Sequence, residues 1–294
     1  MELSAWWFRH SVQVRLSLFI TDQDIDRLIQ EDVPYGDLTT RALGIGGKSG
    51  RMVFQARHPL VLCGAAIAGR IIQKLGAKVL SCVTDGTALA ADDVVLVADG
   101  EAACLHAAWK VSQTVIEWCS GIATSVSAIR LAAESASGRV RIACARKAPP
   151  GTRNLAIMAV QAGGAEMHRT GLSETILIFP EHLNFVGPNP IALAIADAKR
   201  CAPERTVVIE VNSERDALLA AHAGADVVQL EKFTPEAVHR VAEQIGDKCL
   251  IAAAGGVRVE NAALYAGAGA NILVTSAPYS APPAEIQVVI THIQ

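Results

Sequence analysis

Aromatic side chains make up only 4% of the 294 residues and charged ones 19%, and the formal net charge is −3. A chain so close to neutral carries no broad basic surface for nucleic acid or for an anionic membrane. No apolar run approaches the ~18 residues of a bilayer-spanning helix, so no membrane segment is expected. The seven cysteines form no CxxC pair and no zinc-ligand spacing. Most sit among Ala, Val, Ile or Leu, as small reduced core residues do, and an odd, unpatterned set points to a reducing, cytoplasmic compartment. No P-loop, GxSxG, HExxH or Rossmann glycine fingerprint is present. What the chain does have is aliphatic bulk. At 51% hydrophobic residues it can build a large core, and its length suits two domains or one large α/β unit at ~100–200 residues per domain.

Residues 1–17 carry Arg9, His10 and Arg15 inside an apolar stretch. They lack a secretory layout and read as an N-terminal extension or the product of an early start codon, with the folded chain expected from about Leu18. Thr21 followed by Asp24 predicts a capped helix over 22–30, and a turn-rich segment covers 31–40. Residues 51–63 alternate like a strand pair, 65–75 read as a helix, and strands are expected at 79–83 and 94–98. A long helical region spans 102–135, with a break expected near Gly121. Beyond residue 138, short β-branched runs recur at 140–143, 175–178, 207–211, 227–230, 250–253 and 272–274, with helical periodicity between them. Strand–helix alternation means a parallel sheet. These strands are too few for an eight-stranded barrel, which takes ~250 residues. The expectation is an α/β fold with a short or open, six- to seven-stranded barrel of TIM-like type. The tail beyond Pro278 leaves the repeat and ends in an apolar element that packs back on the first domain.

In such sheets ligand groups gather at the carboxyl ends of the strands, and polar or glycine residues stand there after nearly every expected strand. Arg146-Lys147 follow the first, and Glu166-x-His168-Arg169 precede the second. Glu210 lies near the end of the third, and Glu231 follows the fourth. Gly255-Gly256 and Thr275-Ser276 follow the last two. Arg146, Lys147, His168 and Arg169 suit phosphates and carboxylates. The glycine turn and Thr275-Ser276 suit phosphate bound through backbone N–H groups. Glu210 and Glu231 suit sugar hydroxyls, or a divalent cation held through water. Taken singly, a Gly-Gly turn, a lone His or a Glu-Lys pair is commonest as plain structure or surface. Their convergence at one end points to a phosphorylated, polyhydroxylated anion with a metal.

Four stretches carry a resemblance over about residues 18–290. They are Glu31-Asp32-x-x-x-Gly36-Asp37-x-Thr39-Thr40, Ser120-Gly121-Ile122-Ala123-Thr124, Ala145-Arg146-Lys147-Ala148-x-Pro150-Gly151-x-Arg153 and Gly163-Gly164-x-x-x-His168-Arg169-x-Gly171-Leu172-Ser173. In order and spacing they resemble the quinolinate phosphoribosyltransferases, also called nicotinate-nucleotide pyrophosphorylases. The resemblance implies an N-terminal α/β sandwich of residues 18–110 with the tail 278–294, a barrel of 111–277, and a homodimer or higher oligomer whose site borrows from a neighbour. It implies transfer from phosphoribosyl pyrophosphate with Mg²⁺. Lys147, Glu210 and Glu231 would act in catalysis, and Arg146, His168, Arg169, Gly255, Gly256, Thr275 and Ser276 in substrate binding. Glu210 and Glu231 would also face the metal through water.

Two cations of the family pattern are missing. Its E-R-T-x-L-N reads Glu101-Ala102-Ala103-Cys104-Leu105-His106 here, and its L-I-K-x-N-H reads Leu177-Ile178-Phe179-Pro180-Glu181-His182. Charge-assisted partners worth ~1.5–3 kcal/mol each are lost, so quinolinate is not the expected acceptor. Phe179 stands where a cation would be and is expected to touch a small nitrogen-heterocycle acceptor. With Leu273-Val274-Thr275-Ser276-Ala277-Pro278-Tyr279, the pattern is most similar to a divergent branch, the ModD-type pyrophosphorylases associated with molybdenum transport. Phosphoribosyl transfer to an acceptor other than quinolinate is the leading expectation. A catalytically silent nucleotide- or oxyanion-binding protein of a molybdate system, and true quinolinate turnover, are the alternatives. Phe185, Phe233 and Tyr279 are expected with Phe179 at the mouth of the barrel.

Overall fold

The computed structural model describes residues 20–294; the expected extension 1–17 lies outside the described residues. The chain divides into two compact units, one running to Ser120 and taking in Pro283–Gln294, the other Gly121–Pro282.

In the first unit, Ser49–Ala56 lies between two antiparallel neighbours, Val94–Glu101 and the C-terminal strand Ile286–His292, and Lys78–Cys82 completes the sheet. The strand pair expected over 51–63 is present as Ser49–Ala56 and Leu60–Val61, which belong to different sheets. Both edges of Ser49–Ala56 are taken, and Leu60–Val61 pairs with Ala88–Leu89 instead. Alternation along Ser49–Ala56 turns Met52, Phe54 and Ala56 inward, where helix Ala65–Lys74 covers them with Ala65, Ala68 and Ile72. Helix Asp22–Asp32 starts as its sequence predicts, on a reciprocal Thr21–Asp24 cap. Asp37 caps Leu38–Ala42 by accepting from the Thr39 and Thr40 N–H groups. The Thr40 hydroxyl is 2.7 Å from His106 Nδ1, so part of the N-terminal signature serves as local scaffolding.

Ala102–Glu134 is one uninterrupted helix, and the break expected near Gly121 is absent. The Ser120 hydroxyl accepts from the Cys63 N–H at 2.9 Å and donates to the Cys63 carbonyl at 3.1 Å. It is thus tied to a neighbouring loop rather than competing with its own helix backbone. Tertiary packing outweighs the ~1 kcal/mol that glycine costs inside a helix.

The second unit holds seven parallel strands in the order Glu166–Met167, Arg141–Cys144, Ile272–Thr275, Leu250–Ala254, Val227–Glu231, Val207–Val211, Ile176–Ile178. The two outermost do not pair with each other, so the barrel is open, as expected. Sequence reading finds six of the seven. The two-residue strand Glu166–Met167 has no periodicity to detect, and it is held by pairing with Ala143 and Cys144. Val208, Val227, Ala252, Val274, Ala143 and Leu177 fill the inner face. Gly163 packs directly on the long helix: a Cβ there would stand 2.6 Å from the Ala123 carbonyl oxygen and from Val126. This gives the Gly-Gly of the fourth motif a structural reason.

No helix of the described residues is long and apolar enough to cross a membrane. All seven cysteines are free. Cys63, Cys119 and Cys144 are buried, Cys104 and Cys249 half-buried, and Cys82 and Cys201 exposed.

Candidate functional site

Side chains alternate along a strand, so the positions two residues beyond the inner-face apolar layer also point inward. That step takes Val208 to Glu210, Val227 to Gln229 and then Glu231, Leu177 to Phe179, Ala252 to Ala254, and Val274 to Ser276. These residues line one cavity of about 850 Å³ at the carboxyl ends of the strands. Every site residue expected from the sequence borders it: Arg146, Lys147, His168, Arg169, Phe179, Glu210, Glu231, Gly255, Gly256, Thr275 and Ser276. His168 and Arg169 reach it because they follow their own short strand, with the His168 N–H bonded to the Cys144 carbonyl at 2.9 Å.

The cavity carries charges of both signs. Arg169 is only 8% exposed; burial and the neighbouring Arg146 push its pKa down. Its guanidinium carbon lies 6.0 Å from the centre of the Phe179 ring. Phe179 in turn stacks on His182 at 5.8 Å. Burial lowers the pKa of His168, and Arg169 adds to the shift, while the Gln229 amide works the other way. Burial raises the pKa of Glu210, helped by Glu231 and Glu181; the Gln229 amide and Lys147 offset part of this.

The glycine turn is shaped by what lies against it. Gly255 has φ +85°, and a Cβ there would come within 2.6 Å of Lys232 Cγ and 2.8 Å of Glu231 Oε1. Lys232 itself sits in the left-handed region at φ 59°, with its N–H bonded to the Ala254 carbonyl at 2.8 Å. A non-glycine residue held there is a local strain of the kind found at functional sites. The Thr275 hydroxyl is already engaged. It donates to the Val257 carbonyl at 2.7 Å and accepts from the Ala277 N–H at 3.1 Å, so this side chain holds the turn.

Among the described residues no three His, Cys, Asp or Glu side chains converge as a metal-ligand set. Glu231 disfavours the charge on Glu210, and a cation beside the pair would relieve that repulsion.

Sequence reading missed Gln229 and Arg258, which also line the cavity. Gln229 is 4% exposed and donates Nε2–H to Glu210 Oε2 at 2.6 Å. Its signal was available: one amide inside the apolar run Val227–Glu231, two residues before Glu231. Of the four aromatics expected at the mouth, only Phe179 lines the cavity. Phe185 is 93% exposed and Phe233 is buried. The Tyr279 hydroxyl lies 3.6 Å from Met167 Sδ.

Fold and site together describe an open α/β barrel with a mixed-charge cavity at the carboxyl ends of its strands. Residues 37–120 match the N-terminal domain of quinolinate phosphoribosyl transferase, and residues 122–289 match its C-terminal domain. The chain belongs to the quinolinate phosphoribosyltransferase family. It is 45% identical over 246 residues to a Rhodobacter capsulatus protein named "Putative pyrophosphorylase ModD", covering 83% of this chain and 95% of the relative. It is 34% identical over 266 residues to a nicotinate-nucleotide pyrophosphorylase (carboxylating) of Mycobacterium leprae, covering 86% and 90%. Among solved structures, NadC from Streptococcus pyogenes matches with a TM-score of 0.86 at 25% identity, over 93% of this chain and 97% of that one.

Proposed function

We propose that the protein is a phosphoribosyltransferase, moving the phosphoribosyl group of phosphoribosyl pyrophosphate to a small nitrogen heterocycle other than quinolinate. One observation carries this reading. A single cavity sets Arg146, Lys147 and Arg169 against Glu210 and Glu231, the polarity that a sugar bearing phosphates asks for. The two positions where the family pattern has cations for a dicarboxylate hold Ala102 and Phe179.

When the bond from C1 to pyrophosphate breaks, the leaving group takes the electron pair and positive charge develops on the sugar ring. Glu210 and Glu231 hold the ribose and face that charge from a partly buried wall, where electrostatic stabilisation is strongest. Arg146, Lys147 and Arg169 bind the anionic leaving group, and the Gly255-Gly256 turn seats the terminal phosphate on backbone N–H groups. Holding both reactants in one cavity supplies the orientation. A magnesium ion arriving with the pyrophosphate would neutralise part of its charge, with Glu210 and Glu231 meeting the water around it. Action as a homodimer or higher oligomer belongs to the same proposal; it is supported by Tyr35, Leu38 and Leu43, which are 89%, 66% and 66% exposed. A link to molybdenum uptake rests on the likeness to proteins named ModD.

The test is a screen of neutral and monoanionic nitrogen heterocycles for pyrophosphate release from phosphoribosyl pyrophosphate with Mg²⁺. Release is expected with at least one compound and not with quinolinate. The cluster of cations favours one second reading, a catalytically silent oxyanion-binding protein. Molybdate bound at least as tightly as phosphoribosyl pyrophosphate, with no release from any compound, would select it.

A further inference from the structure

Gln229 lies on the inner face of strand Val227–Glu231, in register with Glu210 on one side and Ala252 on the other. Its Nε2 donates to Glu210 Oε2 at 2.6 Å. Its Oε1 is buried and has no hydrogen-bond partner among the described residues. The amide cannot be turned over to relieve this, because a carboxylate accepts only, and an oxygen in place of the nitrogen would face it with repulsion. Glu210 therefore fixes which way the amide points. A buried carbonyl without a hydrogen bond is uncommon in folded proteins; this one faces the His168 ring, whose charged form it favours, and borders the cavity that holds the whole candidate site.

The surroundings narrow what can satisfy it. Glu181, Glu210 and Glu231 share the cavity, and each repels a second carboxylate near Oε1. His168 lies beside the amide; burial and Arg169 favour its uncharged ring, against the pull of Gln229. Arg146 and Lys147 bring positive charge to the cavity, and Leu177 with Phe179 offers an apolar wall for a flat ring.

We propose that Gln229 determines acceptor specificity by receiving an N–H of the acceptor at Oε1, and that the acceptor is a neutral azole of the imidazole or benzimidazole class. This rests on the phosphoribosyl-transfer reading above. An azole meets both demands of such a site at once. The ring nitrogen with the lone pair attacks C1 of the sugar and forms the new N–C bond. The C1–O bond to pyrophosphate breaks, and pyrophosphate leaves with the electron pair. The hydrogen on the second ring nitrogen, held by Gln229, passes as a proton to the uncharged ring of His168. No carboxylate is present, so no carbon dioxide is lost.

Benzimidazole and 1-methylbenzimidazole test this directly, since they differ only in a methyl group that takes the place of the N–H hydrogen. Each is titrated by calorimetry into the wild-type protein and into Gln229→Met, without phosphoribosyl pyrophosphate, so the result does not depend on transfer activity. Wild type is expected to bind benzimidazole at least about tenfold more tightly, the discrimination of one hydrogen bond to a buried group. Gln229→Met is expected to erase the difference. Equal binding of the two probes by wild type, a preference that persists in Gln229→Met, or binding of neither probe overturns the proposal. If Gln229→Met does not fold, the wild-type comparison decides alone. Loss of phosphoribosyl pyrophosphate binding, measured separately, would instead overturn the reading on which the proposal rests.

Discussion

Gly255 and Glu231 compete for one space: a methyl group on Gly255 would stand 2.8 Å from the Glu231 carboxylate oxygen. The turn proposed to seat phosphate and the carboxylate proposed to face ribose are thus built as one unit. Gly255→Ala should displace Glu231 and the Lys232 backbone and cost about 1–3 kcal/mol of stability. It should weaken phosphoribosyl pyrophosphate binding at the same time. Gly256 also has a positive φ, +105°, but nothing lies within 4 Å of its Cβ position. Thermal denaturation should therefore show a smaller loss for Gly256→Ala.

Arg169 is 8% exposed, its charge is disfavoured by burial and by Arg146, and no salt-bridge partner for it is found among the described residues. A buried cation without a paired charge costs stability, and the proposed function assigns Arg169 to the anionic leaving group. Arg169→Met should raise the melting temperature, with a gain of about 1 kcal/mol, while anion affinity falls. Paired denaturation and calorimetry measurements check both directions. A variant that loses stability and keeps its affinity for phosphoribosyl pyrophosphate would show Arg169 to be structural.

His168 has a folded-state pKa below its ordinary 6.5. Between that lowered value and 6.5, the unfolded chain binds a proton that the native protein does not. Stability contributed by His168 is therefore present above pH 6.5 and drains as pH falls through the lowered pKa. His168→Gln should flatten the pH dependence of the unfolding free energy just below 6.5, as read by denaturant titration across that interval. The slope of wild type and variant should coincide above it.

Phe179 lies beside Arg169, with 6.0 Å between the ring centre and the guanidinium carbon, at a position where the family resemblance implies a cation. Phe179→Lys returns a charge to the acceptor wall. Calorimetry should then detect quinolinate binding that is absent in wild type. If neither protein binds quinolinate, Phe179 is not the residue that excludes the dicarboxylate.

Much of the barrel end was legible because side-chain period and strand end are both visible in sequence. Once the runs at 207–211 and 227–230 are taken as strands, Glu210 and Glu231 fall at the same end. What escaped has physical reasons. Strand Glu166–Met167 is two residues long and is stabilised by its neighbour Arg141–Cys144, so His168 and Arg169 could be placed only as residues preceding the strand at 175–178. Gln229 was hidden by the apolar residues around it, although a buried amide there is the main polar feature of that strand. The expected break at Gly121 followed helix propensity, which the Ser120–Cys63 hydrogen bonds and tertiary packing outweigh. The two strands expected within 51–63 are present, but their partners were not legible: Ser49–Ala56 pairs with Val94–Glu101 and with Ile286–His292 at the far end of the chain. Local pattern cannot report such a pairing.

The central claim is that this cavity binds phosphoribosyl pyrophosphate, and titration calorimetry with Mg²⁺ on wild type and Lys147→Ala tests it most directly. The account predicts saturable one-to-one binding by wild type, tighter than that of inorganic phosphate, and a loss of at least about tenfold in Lys147→Ala, in line with removal of a charge-assisted contact. Binding no tighter than inorganic phosphate, or affinity unchanged in Lys147→Ala, would contradict it.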